Sequence, residues 1–532
     1  MNMKSILSLK SLFLLMASVF MLVACDNELW DEHYSDEVTE RSELTIYEYI
    51  KASPELSTFA QALEKTGYDK LLSEDFTYTV WAPDNESLAA LDLNDAAQLN
   101  RIVKNHIARF THTTSRVTDQ SLLMLNGKIL DFKRLPGNVF TLQGKELKQA
   151  DIAVRNGMIH LMKQHVPYVL NIWEYIAVAE GIDSLRNYIN SLTRLELDYD
   201  ASYVEGVLVD SVFKESNRVL TLLAELNTED STYTALLPTD AAWDDRLAKV
   251  FPYFKTLEID GGELAQATNA RWMMVRDLFY RGRLSQPLEK DSLESTAGTL
   301  FTNAKQLIPT AHPEQLSNGY GYIVPSYGQK PEETWLKPIR IEAETGFYGR
   351  SANLFELATY SSLGTGFDVS GNYYINATAQ STQSNARMSI NFPLPNTLAT
   401  KYNIYCVFVP VAITDTASTK AFKVKFSINY NYTDEAKNDS VWIGNTGFVR
   451  THTQAKQFIT DKKEITKVLV AENYEFPWSN IVSGTSLNEN MFYSDKVRVG
   501  LRVENAAGST ALERLNFSRD LRIDCIILEP VE

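Results

Sequence analysis

The chain has 532 residues, which is enough for two to four domains that each bury a core of their own. Apolar residues make up 44% and charged residues 22% of the sequence, as in ordinary globular domains. The formal net charge of −16 argues against a nucleic-acid partner, which would need clustered lysine and arginine. Only two cysteines follow residue 25, too few to build a thiolate cage for a metal ion.

The first 24 residues have the composition of a signal peptide. Lys4 and Lys10 form a short basic start, and residues 12–23 are an uncharged apolar run, shorter than the roughly 20 residues of a membrane-spanning helix. Residues 22–25 (LVAC) resemble the lipobox of bacterial lipoproteins. The resemblance implies cleavage before Cys25 and its lipidation, with palmitate among the acyl groups, so that lipid anchors the mature chain. The alternative is an ordinary signal peptide followed by a cysteine by chance.

Residues 25–39 form an acidic tether with interleaved aromatic residues. The segment resembles the acidic export tag of surface lipoproteins in some Gram-negative bacteria, which implies an outer-membrane protein exposed at the cell surface. The alternative is a solvated tether on the inner leaflet of that membrane. Loss of Lys4 and Lys10 with the signal peptide lowers the net charge to −18. This charge disfavours docking to anionic lipid and leaves the acyl chains as the membrane contact.

Three sequence marks occur twice and in the same order. The pairs are 44–50 (LTIYEYI) with 170–176 (LNIWEYI), 76–84 (FTYTVWAPD) with 231–239 (STYTALLPT), and 156–160 (NGMIH) with 318–322 (NGYGY). The repeat predicts two copies of one domain, at residues 40–169 and 170–328. The second copy carries an insertion near residues 195–215.

Two of these marks predict local structure. Residues 78–81 are β-branched and aromatic, so they indicate a strand, which Ala82-Pro83 ends in a turn. Asp84 or Asn85 can then cap a new helix. Asn156-Gly157 predicts a turn that needs positive φ, and a strand follows it.

These marks together resemble the fasciclin domain, in which a strand runs into an Ala-Pro-x-Asn turn and a late Asn-Gly turn leads into an Ile-His strand. Residues 40–169 match both marks, whereas residues 170–328 match as a degenerate copy with Tyr322 where the family often has histidine. The resemblance implies α+β domains in tandem, each built around a wedge-like β sandwich with a helical flank, that serve adhesion or binding without catalysis. His106 lies where some members carry a histidine tied to adhesion, but we interpret His106 and His160 as buried structural residues.

The composition changes after the linker at residues 329–338, and strand alternation dominates residues 339–532. Several short strands with polar turns predict an all-β sandwich, or jelly roll. The predicted strands are 388–392, 401–411, 422–432, 465–471, 497–504 and 521–528. Cys406 and Cys525 lie in strands, so buried free thiols are the default, although an exported protein could pair them.

The two ends of this segment resemble galactose-binding-like jelly rolls, including many carbohydrate-binding modules. Residues 341–344 (IEAE) open it and residues 522–526 (RIDCI) close it. In many such modules carboxylates of these two strands hold a structural Ca²⁺, which implies Glu342, Glu344 and Asp524 as ligand candidates. No other cofactor is implied. The alternative is a plain sandwich whose acids face solvent.

Sugar binding needs exposed aromatic faces for stacking and polar groups that fix hydroxyls. The aromatic candidates of the C-terminal segment are Tyr430, Tyr432, Trp442, Tyr474 and Trp478. For each one, a place in the core is the alternative.

The sequence contains no nucleophile elbow and no phosphate loop, and the dinucleotide motif is incomplete. Carboxylate pairs for glycoside cleavage depend on spatial proximity, so sequence does not test them. We therefore predict a non-enzymatic surface lipoprotein that binds glycan or peptide as an accessory component of an outer-membrane nutrient uptake system, in contact with its transporter complex. The alternative is an adhesion or scaffolding protein whose fasciclin-like domains contact protein partners.

Overall fold

The computed structural model describes residues 41–381, 386–433, 438–482 and 495–531. The predicted signal peptide, Cys25 and the acidic tether lie outside these residues. The described residues fall into two compact units, one ending at residue 170 and one beginning at residue 171, so the predicted linker at 329–338 lies inside the second unit. Among the helices of the described residues, none combines the length and the apolar character needed to span a bilayer.

The first unit is a sheet covered by helices. Its helices are α1 (Ile46–Ala52), α2 (Ser57–Thr66), α3 (Tyr68–Leu71) and α4 (Ala96–Asn105). Its strands are β1 (Tyr78–Pro83), β2 (Ile107–Arg109), β3 (Asp119–Leu123), β4 (Ile129–Leu135), β5 (Val139–Leu142), β6 (Lys145–Val154) and β7 (Gly157–Met162). They form one seven-stranded sheet in the order β2-β1-β7-β6-β5-β4-β3, in which β1 and β7 are parallel.

Alternation along β1 divides the core of this unit into two parts. Val80 packs with the helices α1, α2 and α4, whereas the next residue, Trp81, packs on the other side with Phe132 and Met162. Both faces of the central strands are therefore buried, which explains why β1 is buried at every position. The helices agree with the predicted helical flank, whereas the strands pair as one continuous sheet and not as the two separate sheets of a β sandwich.

Asn156 and Gly157 join the start of α1 to the start of β7. The Asn156 side chain accepts a hydrogen bond from Ile46 N at 2.7 Å and donates to the carbonyl oxygens of Leu72 and Glu74. Gly157 has φ of +155°, and a Cβ atom there would lie 1.9 Å from Tyr78 O. The predicted Asn-Gly turn therefore exists, and glycine is required because the backbone of β1 lies against it.

The predicted helix after β1 is wrong. Residues 85–90 form consecutive turns with hydrogen bonds such as Leu91 N to Leu88 O. Asp84 accepts from Ser87 N as a cap would, but Asn85 is drawn to helix α2, where its side-chain oxygen accepts from Thr58 N at 2.9 Å. Asp84 therefore acts as the predicted cap, whereas the contact of Asn85 with helix α2 prevents the turn from continuing as a helix.

His106 and His160 are both fully buried with both ring nitrogens partnered, which confirms their structural interpretation. His106 Nε2 accepts from Val166 N at 2.9 Å and its Nδ1–H donates to Ile102 O at 2.8 Å. His160 Nδ1 accepts from Asp151 N and its Nε2–H donates to His112 O. Burial lowers the pKa of each imidazole to about 4.

We expect the first unit to lose stability as pH falls from about 6.5 to 4. The unfolded imidazole binds its proton near pH 6.5 and the folded one near pH 4, so each ring lowers the unfolding free energy by about 3 kcal/mol across this interval. His106→Gln should remove about half of the pH dependence, whereas His312→Gln, at an exposed position, should leave it unchanged. Imidazole proton resonances followed by NMR test this directly, and titration of both buried rings near pH 6.5 would contradict it.

The first part of the second unit repeats the strand pairing of the first unit. Its helices are α5 (Ile172–Val178), α6 (Asp183–Ser191), α7 (Tyr199–Ser202), α8 (Arg218–Leu222), α9 (Asp240–Val250), α10 (Gly262–Val275) and α11 (Ala304–Leu307). Its strands are β8 (Thr193–Leu197), β9 (Tyr203–Val204), β10 (Val207–Leu208), β11 (Phe213–Asn217), β12 (Tyr233–Pro238), β13 (Phe279–Arg281), β14 (Leu293–Glu294), β15 (Leu300–Phe301), β16 (Glu314–Leu316) and β17 (Gly319–Val324). As in β1 and its neighbours, β12 pairs antiparallel with β13 and parallel with β17.

The same side-chain contacts also recur. Asn318 accepts from Ile172 N at 2.9 Å, as Asn156 does from Ile46, and a Cβ on Gly319 would again lie 1.9 Å from a strand carbonyl, here Tyr233 O. Both α1 and α5 begin with a capping box. The predicted insertion is the hairpin β8–β11 with α7, β9 and β10 between its strands.

The remainder of the second unit is a two-sheet sandwich. Its elements are β18 (Ile339–Glu342), β19 (Ser351–Asn353), β20 (Phe355–Ser361), β21 (Tyr373–Ala379), β22 (Ser389–Pro393), β23 (Lys401–Phe408), β24 (Ala421–Tyr430), β25 (Asp439–Ile443), β26 (Phe448–Val449), β27 (Phe458–Ile459), β28 (Thr466–Glu475), β29 (Val499–Asn505), α12 (Ala511–Asn516), β30 (Phe517–Ser518) and β31 (Leu521–Val531). One sheet has the order β20-β21-β31-β23-β28 with β18 on β31, and the other has the order β19-β22-β29-β24-β25-β26 with β27 and β30 on β24. The six predicted strands are confirmed.

Both cysteines that follow residue 25 are buried free thiols, which confirms the default interpretation. Cys406 lies in the core between the two sheets, whereas Cys525 packs with Val407 and Ile527 in a separate cluster.

The sandwich is joined to the rest of the second unit by a buried ion pair. Arg498 donates two hydrogen bonds to Asp260, at 2.6 and 3.0 Å, and both side chains are only 6% exposed. Beside it, Ser479 N donates to Lys255 O at 2.7 Å, and the Lys255 ammonium lies 4.4 Å from the Trp478 ring centroid. These contacts explain why the structure does not separate the sandwich at the linker.

Candidate functional site

The outer face of the β19–β26 sheet carries a row of polar side chains. The strand register places Asn391 on β22 opposite Arg502 on β29, Arg502 opposite Ser427 on β24, and Ser427 opposite Trp442 on β25. Neighbouring residues of these strands, such as Phe392, Leu501 and Ile428, point into the core. Residues that are up to 111 positions apart in the sequence therefore lie side by side.

Buried charges hold this row in place. Glu504, which is 3% exposed, accepts from Arg502 at 3.0 Å and lies 2.5 Å from the His452 Nε2 atom. His452 packs edge-on against Trp442, with ring centroids 4.9 Å apart, and its carbonyl accepts from the buried Lys425 ammonium at 3.0 Å. Burial lowers the pKa of Lys425. The contacts orient the Arg502 guanidinium, which stays partly exposed.

Two amides extend the row along the strands. Asn429 donates to Asn391 at 3.0 Å, and both side chains are half-buried. Next to them, a Cβ on Gly500 would lie 3.0 Å from the Asn391 amide, so glycine leaves room for it. The face thus offers amide and guanidinium groups on a rigid sheet, the kind of groups that fix sugar hydroxyls. The sequence alone does not single out Asn391, Asn429 and Arg502 as site residues, because only the strand register brings them together.

The predicted aromatic candidates fall into three settings. Trp442 and Tyr474 are buried, which leaves little of either ring for stacking on a sugar. Tyr430 and Tyr432 are half-buried, with their rings stacked on each other at 5.2 Å. Trp478 is half-buried beneath Lys255, at the contact between the sandwich and the rest of the second unit.

Burial also governs the acidity of two of these phenols. It raises the pKa of Tyr474 to about 12, and it raises the pKa of Tyr432 as well. Tyr474 packs edge-on against Phe448 at 5.3 Å. Tyr430, Tyr432 and Tyr474 therefore form one cluster at the edge of the core, in which Tyr430 and Tyr432 keep some exposed surface.

Two of the three predicted calcium ligands, Glu342 and Asp524, meet at the paired first and last strands of the sandwich, whereas Glu344 is not among the ligand atoms that lie within 4.8 Å of one another. The register of β18 and β31 places Glu342 opposite Cys525, directly beside Asp524. Ligand atoms of Glu342, Asp524 and Cys525 lie within 4.8 Å of one another. Ser370 approaches the cluster, since its hydroxyl donates to Glu342 at 2.6 Å and its N–H donates to Asp524 at 3.3 Å.

One oxygen of each predicted ligand is buried without a hydrogen-bond donor among the described residues. These are Glu342 Oε2, Glu344 Oε2 and Asp524 Oδ1. Burial, with the nearby charges of Glu342 and Glu344 adding to it, raises the pKa of Asp524 to about 6. Burial followed by the charge of Glu342 raises the pKa of Glu344. Clustered buried carboxylates without donors are unfavourable unless a cation or protons neutralise them.

The donor set fits a hard divalent cation such as Ca²⁺. Carboxylate oxygens are its preferred ligands, and Ser370 can add a hydroxyl. Burial and the charge of Asp524 raise the pKa of the Cys525 thiol to about 12, so it stays protonated and leaves the oxygens as donors.

We expect Ca²⁺ to raise the melting temperature of the chain that begins at residue 26, relative to the same protein in EDTA. A site filled to 100 times its Kd stabilises the fold by about 2.7 kcal/mol. Asp524→Asn and Glu342→Gln should abolish the Ca²⁺ effect, whereas Glu464→Gln, at an exposed position of the sandwich, should keep it. Calorimetry with and without Ca²⁺ measures this, and equal melting temperatures in wild type would contradict it.

The family model of the fasciclin domain matches residues 54–166, which hold helices α2 to α4 and the sheet of the first unit. Two curated proteins are similar to parts of the chain. Transforming growth factor-beta-induced protein ig-h3 of Sus scrofa is 25% identical over 305 residues, and Protein sll1483 of Synechocystis is 27% identical over 132 residues. These matches cover 52% and 23% of the chain, and 40% and 73% of the relatives. The chain thus spans about two fifths of the length of the first relative.

Several solved structures are similar in part. A domain pair of the insect cell adhesion molecule Fasciclin I is 12% identical, covers 52% of this chain and 98% of its own, and has a TM-score of 0.21. A family 35 carbohydrate-binding module of Clostridium thermocellum is 9% identical, covers 37% of this chain and 99% of its own, and has a TM-score of 0.16. The match to the family model and the observed sheet of the first unit agree, so residues 54–166 are a fasciclin domain.

Proposed function

We propose that this chain is a non-catalytic, lipid-anchored protein of the outer bacterial surface whose C-terminal sandwich binds glycan. The observation that carries the proposal is the pair of partly exposed groups, the Arg502 guanidinium and the Asn391 amide, which stand side by side on the outer sheet face next to the buried Ser427 and Trp442. Guanidinium and amide groups that buried neighbours hold in place can bind sugar hydroxyls with little loss of side-chain entropy. In this proposal the protein serves as an accessory component of an outer-membrane nutrient uptake system.

The domain organisation and the membrane anchor belong to the same proposal. We take residues 170–328 as a second, degenerate fasciclin domain, since the Asn318 and Gly319 contacts repeat those of Asn156 and Gly157. The anchor rests on Cys25 and the lipobox-like residues before it. Mass spectrometry of the membrane fraction tests the anchor, and an unmodified Cys25 would exclude it.

Replacing Arg502 should weaken glycan binding. After a glycan array has identified the bound sugar, Arg502→Ala is expected to raise its Kd about tenfold or more, because a hydrogen bond that involves a charged group contributes about 1.5–3 kcal/mol. Asn391→Ala removes a hydrogen bond between neutral groups, which contributes about 0.5–1.5 kcal/mol, and is expected to raise the Kd about two- to tenfold. Arg514→Ala, an exposed arginine on helix α12 of the same sandwich, should change the Kd less than twofold. Isothermal titration calorimetry measures these values.

Two results would speak against this assignment. Loss of binding in Trp478→Ala but not in Arg502→Ala would move the site to the loop beside Lys255. Release of new reducing ends from the bound glycan would contradict the non-catalytic part of the proposal.

The second candidate function is adhesion or scaffolding through the fasciclin-like domains, and the insertion in the second unit favours it. Large apolar side chains of this insertion face solvent, with Leu195 exposed to 70%, Val207 to 65% and Phe213 to 59%. Exposed apolar surface concentrated in one element is typical of a protein contact. Six acidic and two basic residues lie between Arg194 and Glu215, so a partner with basic residues around an apolar surface would complement it.

A variant of this hairpin separates the two candidates. Leu195→Ser with Phe213→Ser should abolish co-purification with an outer-membrane transporter if the hairpin is the contact, and should leave glycan binding unchanged. Leu512→Ser with Leu515→Ser, which removes two exposed leucines of helix α12, is the matched control. Equal recovery of the transporter with both variants would exclude the hairpin as the contact.

A further inference from the structure

We infer that the fasciclin domain of the first unit binds an acidic saccharide in a lysine-lined groove, separate from the site proposed on the sandwich. The groove has a volume of about 800 Å³. Its lining combines acidic and basic side chains, and includes Asp84, Glu86, Ser87, Lys145, Lys148, Lys163 and His165.

The groove lies where the central strands end. Strands β1 and β7 are parallel, with Pro83 opposite Met162, so their carboxyl ends reach the same edge of the sheet. The residues that follow these two ends, Asp84 to Ser87 and Lys163 to His165, form its walls, and the start of β6 closes it with Lys145 and Lys148. Loops after the carboxyl ends of adjacent parallel strands commonly hold ligands in α/β sheets.

Two of the lysines have uncompensated charge. Lys148 pairs with Glu55 at 2.5 Å and lies 4.0 Å from Asp84. Within the described ranges, no carboxylate lies within ion-pair distance of Lys145 or Lys163. In a chain with a net charge of −16, two unpaired lysines in one groove form a local site for an anion.

The residues that follow β1 add hydrogen-bond acceptors to the groove. The His165 Nδ1–H donates to Ser87 O at 2.9 Å, which fixes the ring and leaves Nε2 available to a ligand. Asp84 accepts from Ser87 N at 3.0 Å, so the turn that carries the acidic wall is held in place. Glu86 is exposed and can accept from hydroxyl groups.

The combination of lysine and carboxylate side chains in the groove determines which class of ligand fits it. A sugar that carries carboxylate or sulfate can place its anion on Lys145 and Lys163 while its hydroxyls donate to Asp84 and Glu86. A nucleic acid would bring its dense phosphates against the same two carboxylates, which disfavours it. Carboxylate and sulfate sugars share the required chemistry, so both serve as probes.

The test uses the chain that begins at residue 26. Its binding to octagalacturonate, a heparin octasaccharide, a neutral galactose oligosaccharide of similar length and a single-stranded DNA octamer is measured by calorimetry in 50 and 200 mM NaCl. We expect at least one acidic saccharide to bind, more weakly at the higher salt concentration, with the neutral sugar and the DNA at least tenfold weaker. Lys145→Ala with Lys163→Ala should weaken the acidic saccharide tenfold or more.

The control variant removes the same charge elsewhere on the same unit. Lys51 pairs with Glu64 at 3.1 Å and Lys133 pairs with Asp131 at 2.9 Å, so Lys51→Ala with Lys133→Ala should change the Kd less than twofold. Absence of acidic-saccharide binding in the wild-type chain, equal binding by the two double variants, or DNA binding as tight as that of the acidic sugars would overturn the inference. Loss of acidic-saccharide binding in Arg502→Ala alone would place that ligand on the sandwich instead.

Discussion

The fold of the first unit depends on one asparagine amide and the glycine that follows it. Asn156 holds the start of α1 and the start of the loop after α3 at the beginning of β7. Gly157 lets the backbone of β1 come within a distance that no side chain would permit. The parallel pairing of β1 and β7 is possible only with that approach. Because a parallel pair needs a long crossover, this contact joins residues that lie about 80 positions apart. Asn318 and Gly319 do the same in the second unit.

This dependence explains how far the sequence could predict the fold. The Asn-Gly turn and the strand that begins at Tyr78 are local signals, and their structures agree with the predictions, except that the strand continues through Ala82 and Pro83, where a turn was predicted. The predicted helix after Asp84 failed because Asn85 bonds to the backbone of α2, a contact between distant segments. Local propensity carries no information on such contacts. The type of an element could therefore be predicted where its signal is local, whereas its tertiary partner could not be predicted.

The two sites on the sandwich differ in the same way. The acidic cluster could be proposed from the sequence, since Glu342 and Asp524 belong to the first and last strands and the resemblance implied that these strands meet. The polar row on the outer sheet could not, because Asn391, Arg502 and Ser427 come from three strands whose order does not follow the sequence. The burial of Trp442 could not be predicted from the sequence either, since it depends on the loop that carries His452.

The ion pair between Asp260 and Arg498 bears on how this architecture could be inherited. Each charge is buried and each is satisfied by the other, so separating the two halves at residues 329–338 would leave an uncompensated carboxylate on one side and an uncompensated guanidinium on the other. Recombination between genes is therefore expected to keep residues 171–531 together as one unit. A related sandwich that occurs without the domain that carries Asp260 should therefore lack Arg498, or should carry another acidic residue beside Arg498.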